Sequence, residues 1–153
     1  MSYLLGVDGG ASKTHALVIN QRGDALGFGT AGCANHQIAG LSSAVAEIRK
    51  AVEKAVAAAS LPAGQIKHGC FCLAGADLQE DYIMLMEAVA ALSLVQTVII
   101  KNDTMAALRA GLSRPWGVVV VYGTGFNAAG RGRDGRELIL PGLGYISGDW
   151  GGG

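Results

Sequence analysis

The chain begins with three short, largely apolar segments separated by glycine-containing turns. The first segment ends at Asp8, and the next two cover His15 to Asn20 and Ala25 to Thr30. Short apolar segments joined by tight glycine turns are typical of neighbouring antiparallel strands. We therefore predict an antiparallel meander of three strands at the start of the chain.

Two longer segments with helical spacing follow the meander. A helix is predicted from Leu41 to just before Pro62, with its apolar face at Val45, Ile48, Val52, Val56 and Ala59. A second helix is predicted over residues 78–92, with its core positions at Ile83, Met86, Val89 and Ala90. These two helices should bury one face each.

A strand is predicted after each of these helices. The two strands cover His68 to Ala74 and Thr97 to Lys101, and a short helix follows from Thr104 to Leu112. Three strands followed by alternating helices and strands are typical of an α/β domain. We predict a mixed five-stranded sheet with an antiparallel meander and helices on both faces.

The segment after Pro115 repeats the pattern of the start. Strands are predicted over Gly117 to Tyr122, Ala128 to Arg131 and Glu137 to Leu140, again joined by glycine-rich turns. The pattern predicts two related units, residues 1–115 and 116–153. Because the second unit has only its opening strands, we expect the chain to be a fragment of a longer protein.

The turn between the first two strands, Asp8 to Thr14, is a candidate site for phosphate and metal. Its glycines allow backbone N–H groups to approach phosphate oxygens, and a carboxylate can hold Mg²⁺. It is not a Walker loop, which needs glycines at positions occupied here by Ser12 and Val7 and a helix after the loop. From the residues alone, an ordinary glycine-rich hairpin turn stays equally open.

The charges of the chain are balanced, with 12 basic and 12 acidic residues. The chain therefore lacks the excess of positive charge that is typical of proteins that bind nucleic acid or an anionic membrane, and a small-molecule partner is expected. The cysteines Cys33, Cys70 and Cys72 form neither an even disulfide set nor a CxxC pair. Together with the absence of a signal-like start, they favour the cytoplasm.

Six motifs together resemble the BadF/BadG/BcrA/BcrD-type ATPases and N-acetylglucosamine kinases, within the sugar kinase, Hsp70 and actin superfamily. In chain order the motifs are Asp8 to Thr14, Asn35-His36, Leu73 to Asp77, Asn102-Asp103, Gly123 to Asn127 and Ser147 to Asp149. The resemblance covers essentially the whole chain, as the N-terminal part of that family. It implies a ribonuclease H-like (actin-like ATPase) domain and the opening strands of a second similar domain.

The resemblance implies that the protein uses ATP and Mg²⁺, with the metal held by Asp8. The residues that it places around the nucleotide phosphates are Asp8, Gly9, Gly10, Ser12, Lys13, Thr14, Gly123, Thr124, Gly125 and Asn127. Phosphoryl transfer depends mainly on positioning and charge neutralisation, which such a set can supply.

The resemblance also implies that Asp103 is the catalytic base for a sugar hydroxyl. The residues that it places at the sugar are Asn35, His36, Gly75, Asp77, Asp103, Gly144 and Asp149. Amide and carboxylate groups suit pairs of sugar hydroxyls. From the residues alone, Asp103 equally fits the N-cap of the following helix, and His36 equally fits a loop residue without a ligand.

The function implied is an ATP-dependent kinase of N-acetylglucosamine or a related amino sugar. The partners expected are a sugar, a nucleotide and a second copy of the protein, and the 153-residue fragment itself is expected to be inactive. The alternative is a BadF-type ATPase that drives electron transfer or conformational change in a partner protein, although the three cysteines are poorly spaced for an iron–sulfur cluster. A sugar-sensing domain without catalysis is a third hypothesis.

Overall fold

The computed structural model describes residues 2–62, 64–123 and 125–140. Within these residues, strands and helices follow one another in the predicted order. They are β1 Tyr3–Gly9, β2 Thr14–Asn20, β3 Ala25–Ala31, α1 His36–Ala39, α2 Leu41–Ala58, β4 Ile66–Leu73, α3 Gln79–Ala90, β5 Thr97–Asn102, α4 Asp103–Gly111, β6 Gly117–Tyr122, β7 Phe126–Arg131 and β8 Glu137–Ile139. The short helix α1 has no counterpart among the predicted helices and strands.

The first five strands form one sheet in the order β3-β2-β1-β4-β5. Strands β1, β2 and β3 pair antiparallel, whereas β4 pairs parallel with both β1 and β5. The predicted mixed sheet with an antiparallel meander is therefore confirmed. Because β1, β4 and β5 run in the same direction, their carboxyl ends, at Gly9, Leu73 and Asn102, lie at one edge of the sheet.

The two faces of this sheet carry different residues. Leu5, Val7, Phe71 and Leu73 are buried in a core that also contains the inward residues of α2 and α3. Successive side chains of a strand point to opposite faces, so Asp8 and Cys72 belong to the other face. Helix α4 contacts β1, β4 and β5, but its buried residues join a separate apolar cluster. It therefore covers the second face, and the prediction of helices on both faces is confirmed.

Helix α2 packs directly against the backbone of β3. A Cβ atom on Gly27 would lie 2.1 Å from the carbonyl oxygen of Ala55, and one on Gly29 would lie 2.1 Å from that of Ala51. Because the helix backbone lies so close to the strand, small residues occupy much of the buried face of the helix. Its buried positions are Ala44, Ile48, Ala51, Val52 and Ala55. The predicted face was therefore wrong in part, since Val45 and Val56 are only half-buried.

The predicted core face of α3 was also wrong in part. Leu85 and Val89, four residues apart, are the buried residues of this helix. Ile83 is 52% exposed and Met86 is 37% exposed, and Ala90 is exposed as well. Apolar residues occur on every side of this helix, so their spacing does not single out one face.

Strands β6, β7 and β8 form a second, antiparallel sheet. Its Ala129 packs against Met105 and Leu108 of α4. The three strands confirm the meander predicted after Pro115, whereas the division into two units at residue 115 stays a prediction. Among the described residues, no helix is long and apolar enough to cross a membrane.

Candidate functional site

The glycine turn after β1 forms a tight hairpin. Gly9 pairs with Thr14, and the N–H of Gly10 donates to the carbonyl oxygen of Lys13 at 2.9 Å. Ser12 and Lys13 are exposed at its tip. The predicted hairpin is therefore confirmed, and its tip presents a hydroxyl and an ammonium group to solvent.

Beside this turn lies a cleft of about 450 Å³, here called the hairpin cleft. Its walls come from the glycine hairpin, helix α4 and strand β6. The lining residues are Asp8, Gly10, Ala11, Ser12, Lys13, Asp103, Ala106, Ala107, Ala110, Val121 and Gly123. The cleft combines a carboxylate pair with a basic and a hydroxyl side chain, which are groups that can hold phosphate together with Mg²⁺.

A second cleft, of about 320 Å³, lies beside the turn that follows β4 and is here called the turn cleft. Its walls come from that turn, the segment before and within α1, and the loop between β6 and β7. The lining residues are Ala11, Asn35, Gln37, Ile38, Ala74, Gly75, Asp77, Asp103, Val121, Gly123, Gly125, Phe126 and Asn127. Its volume falls within the range of small-molecule pockets.

Asp103 lies where the two clefts meet. It lines both of them, together with Ala11, Val121 and Gly123. The N-cap of α4 is Asn102, whose side chain accepts a hydrogen bond from the N–H of Thr104 at 3.0 Å. Asp103 is the first residue of the helix instead of its cap, so the N-cap interpretation was wrong and the carboxylate is available to the clefts.

The carboxyl group of Asp103 is a stronger base than an ordinary aspartate. Burial is the largest cause that raises its pKa, and the charges of Asp8 and Asp77 raise this pKa further, against a lowering contribution from the N–H of Thr104. A raised pKa means that the carboxylate accepts a proton more readily. This property suits a general base.

Asn102 connects Asp103 to the turn cleft. Its buried side chain donates to the carbonyl oxygen of Ala76 at 3.1 Å and to Oδ1 of Asp77 at 2.9 Å, while its own oxygen caps α4. The sequence reasoning treated Asn102 only as part of a motif. The signal that could have identified its role is an asparagine at the end of a predicted strand and directly before a helix.

Asp77 lines the turn cleft with a partly buried carboxyl group. Burial is the largest cause that raises its pKa, followed by the charge of Asp81, while the hydrogen bond from Asn102 acts in the opposite direction. A hydrogen bond from Asn102 fixes one of its two oxygens. The other lone pairs of the carboxylate can accept hydrogen bonds from a ligand.

Asn35 and Gly75 lie next to each other in the wall of the turn cleft. The Oδ1 atom of Asn35 caps α1 by accepting from the N–H of Gln37 at 2.9 Å, so its amide N–H groups can face the cleft. Gly75 has φ +84°, and a Cβ there would lie 2.9 Å from Asn35 Oδ1. The positive φ and this close approach to Asn35 together favour glycine at position 75. Gln37 and Phe126 also line the turn cleft, although neither is among the predicted site residues. Gln37 belongs to none of the six motifs, and Phe126 was predicted to lie in a loop.

Three predicted site residues do not line either cleft. Gly9 is buried, and a Cβ there would lie 2.6 Å from the side chain of Leu73. Thr14 is fully buried, and its Oγ1 donates to the carbonyl oxygen of Gly32 at 2.7 Å. The His36 ring is 9% exposed and contacts Asp81. Their roles in the described structure are to shape and join the loops.

The remaining predicted residues divide between the clefts and the part of the chain that is not described. Gly123 lines both clefts, whereas Gly125 and Asn127 line the turn cleft. Thr124, Gly144 and Asp149 lie outside the described residues. Of the described residues predicted at the phosphates in the second glycine turn, Gly123 is therefore the one that lines the hairpin cleft.

Two hydrogen bonds hold the glycine hairpin to the segment that carries Asn35. One is the bond from Thr14 to Gly32, and the other runs from the N–H of Ala34 to the carbonyl oxygen of Gly10 at 3.0 Å. The N–H of Ala74 also donates to the carbonyl oxygen of Gly9 at 2.8 Å. The walls of the two clefts are therefore joined by one side-chain bond and two backbone hydrogen bonds.

The hairpin cleft is suited to Mg²⁺. Asp8 is an exposed carboxylate at the end of β1, and among the described residues no group of three or more His, Cys, Asp or Glu side chains could hold a metal ion. Mg²⁺ commonly uses one or two carboxylates and completes its shell with water and substrate phosphates. Asp8, with Asp103 as the second carboxylate of the hairpin cleft, fits this pattern of Mg²⁺ binding.

A mixed five-stranded sheet of order β3-β2-β1-β4-β5 with helices on both faces defines the ribonuclease H-like (actin-like ATPase) fold. The fold is shared with a Streptomyces griseus ROK family glucokinase solved with glucose and AMPPNP, which is 20% identical, with a TM-score of 0.65 over 93% of this chain and 49% of that chain. A model of the BadF/BadG/BcrA/BcrD ATPase family matches residues 5–153. The chain belongs to this family.

Two further proteins are similar to the chain. The N-acetylmuramic acid/N-acetylglucosamine kinase of Clostridium acetobutylicum is 31% identical over 100% of this chain and 50% of its own length. A Chromobacterium violaceum structure described as an N-acetylglucosamine kinase has a TM-score of 0.75 and 24% identity over 96% of this chain and 51% of that chain. The chain spans about half the length of the curated relatives it matches.

Proposed function

We propose that this chain is part of an ATP-dependent kinase that phosphorylates N-acetylglucosamine or a related amino sugar. The observation that carries the proposal is the position of Asp103 at the junction of the two clefts. A phosphoryl transfer enzyme needs one base between its acceptor and its phosphate donor. Asp103 is the described carboxylate that lines both clefts.

In the proposed reaction, the sugar occupies the turn cleft and the triphosphate of ATP occupies the hairpin cleft. A sugar hydroxyl oxygen forms a bond to the γ-phosphorus while the bond from that phosphorus to the bridging oxygen breaks. The hydroxyl proton passes to the Asp103 carboxylate, and the products are the sugar phosphate and ADP. The raised pKa of Asp103 favours this proton transfer.

The other cleft residues bind and orient the substrates in this proposal. Asn35 and Asp77 hold sugar hydroxyl groups in the turn cleft. Ser12 and Lys13 donate to phosphate oxygens, and Asp8 holds Mg²⁺, which supplies positive charge to the phosphates when bound. Holding both reactants in line accounts for a large share of catalysis in such reactions.

The proposal that the substrate is an amino sugar rests on similar proteins and not on a particular contact in the turn cleft. The Clostridium acetobutylicum kinase and a Dictyostelium discoideum N-acetyl-D-glucosamine kinase, 28% identical over 97% of this chain, both carry that activity in their names.

A cytoplasmic location and a homodimer stay predictions. The three cysteines are free, which agrees with a reducing compartment.

The proposal is tested by sugar phosphorylation in the full-length protein with Asp103→Asn. Removing the base should lower kcat by about 10²- to 10⁴-fold, with little change in KM for ATP. Asp24→Asn, an exposed carboxylate in the turn before β3, is the matched control and should retain activity. Unchanged turnover in Asp103→Asn would contradict the proposal, and ATP hydrolysis without sugar dependence would favour the partner-driving ATPase.

A further inference from the structure

Cys70 and Cys72 bring two thiol groups together on one face of β4. They are two residues apart in the strand, so both side chains point to the face that also carries Asp8. Their Sγ atoms lie 3.9 Å apart, so that in the absence of an ion one thiol donates a hydrogen bond to the other. The third cysteine, Cys33, lies in the loop before α1 and takes no part in this pair.

The separation of the two sulfur atoms fits a shared cation better than a disulfide. Two sulfurs bound to one tetrahedral ion at about 2.3 Å, the usual distance for zinc, lie roughly 3.8 Å apart. A disulfide requires about 2.05 Å and therefore a substantial movement of both side chains. The pair as it stands could bind one ion between its sulfurs without any change in the strand.

There is room beside the pair for an ion and its remaining ligands. Gly6 of β1 is the register partner of Cys70, and a Cβ on Gly6 would have no heavy atom within 4 Å. On the other side, the partner of Cys70 is Ile99, which is 42% exposed. Cys70 is itself half-buried. An ion can therefore reach Cys70 from solvent through the space above Gly6.

The chemistry of the pair selects the kind of ion. Thiolates favour soft or borderline cations such as Cu⁺, Zn²⁺ and Cd²⁺, whereas Mg²⁺ requires oxygen ligands. The described residues provide no set of three His, Cys, Asp or Glu ligands here, so water would complete the shell. We propose that Cys70 and Cys72 form a two-thiolate site for a soft, thiophilic cation, separate from the Mg²⁺ role proposed for Asp8.

The test is a titration of the reduced full-length protein with Cd²⁺, followed by the ultraviolet charge-transfer absorption of cadmium thiolate. We expect one Cd²⁺ per chain at this site, retained in Cys33→Ser and in the presence of excess Mg²⁺. The absorption should be lost in Cys70→Ser and in Cys72→Ser. Asp8→Asn should keep it, because the absorption reports sulfur ligation and not carboxylate ligation.

A second variant tests the space above Gly6 while keeping both thiols. Gly6→Val should fill this space and weaken Cd²⁺ binding, whereas Gly111→Ala, another glycine with open space around it, should not. Circular dichroism verifies that each variant is folded. Because Cys70 is half-buried and Cys72 is buried, Cys70→Ser should disturb the fold less than Cys72→Ser. Cadmium thiolate absorption that persists in folded Cys70→Ser, or that depends on Cys33, would overturn the proposal.

Discussion

The Nε2 atom of His36 lies 3.2 Å from Oδ1 of Asp81, and the two side chains are only 9% and 15% exposed. The Oδ2 atom of Asp81 accepts from the N–H of Leu78 at 2.8 Å and from that of Asp77 at 3.3 Å. One carboxylate therefore joins the segment next to Asn35, the turn that carries Asp77 and the first turn of α3. Asp81 is a positioning residue for both sides of the turn cleft.

Asp81→Ala is expected to disturb the sugar site more than the nucleotide site. It removes the acceptor for the backbone N–H groups of Asp77 and Leu78 just before α3, which should cost about 0.5–2 kcal/mol of unfolding free energy, and it removes the partner of the His36 ring. In the full-length protein, KM for the sugar should rise while KM for ATP changes little. Steady-state kinetics with each substrate varied in turn measures this difference.

Two companion variants separate positioning from folding. Glu80→Gln changes a neighbouring exposed carboxylate of α3 and should leave both KM values unchanged. Asp81→Asn keeps one acceptor oxygen for the backbone N–H groups and should restore part of the stability. An equal rise of both KM values in Asp81→Ala would show that the residue does not act through the turn cleft.

Asn102→Ala is expected to destabilise the protein. The change removes the cap of α4 and leaves the buried carbonyl oxygen of Ala76 without its donor, which together should cost roughly 1–3 kcal/mol. Asn102→Asp keeps the cap but places a second carboxylate beside Asp77. Its stability should therefore recover on acidification, and urea unfolding at pH 7 and pH 4.5 would show this. A pH-independent deficit would contradict the predicted contact with Asp77.

Gly29→Ala is expected to be strongly destabilising, because its Cβ would meet the backbone of α2 at 2.1 Å. A helix backbone cannot move away as a side chain can, so the cost should reach about 1–3 kcal/mol or more. Gly6→Ala, also in a strand but with open space at its Cβ, is the matched control. Thermal unfolding that ranks the two variants equally would show that α2 does not pack against β3 in this way.

Asp103→Asn should stabilise the fold near neutral pH although it lowers kcat. The folded-state pKa of Asp103 is raised above its ordinary value of 3.8, mainly by burial. The folded state therefore binds a proton more tightly than the unfolded state, and wild-type stability is lost as pH rises from about 3.8 through the folded pKa. The stability advantage of the variant should grow through this window and then level off. The difference between the thermal midpoints of the variant and the wild type, followed from pH 3.5 to 7, measures this advantage. A difference that does not change with pH would contradict a raised pKa of Asp103.

Much of the fold was predictable because strand alternation, glycine turns and helix spacing are local signals. The ends of β6 were predicted correctly, and those of α2 closely. The buried face of α2 was not predictable, since alanines become core residues only when Gly27 and Gly29 let the helix approach the strand. That approach depends on residues far apart in the chain.

The candidate site was predictable in its motifs but not in its contacts. Asp8 was predicted from its glycine turn, whereas Asp77 and Asp103 were implied by the family resemblance, and the structure brings all three to the edge where the parallel strands end. The placement of Thr14 and His36 was missed, since their partners Gly32 and Asp81 are known only from the packing of loops. A residue type in a motif shows what chemistry is available, whereas burial decides whether a ligand can reach it.

The two hydrogen bonds that join the glycine hairpin to the segment carrying Asn35 have a thermodynamic consequence. Ordering of the hairpin by a nucleotide would also order the wall proposed for the sugar, because the two segments are held together. Each ligand would then bind more tightly when the other is present. By reciprocity, the factor must be the same in both directions, so the two substrates of the proposed kinase would share one cooperative free energy.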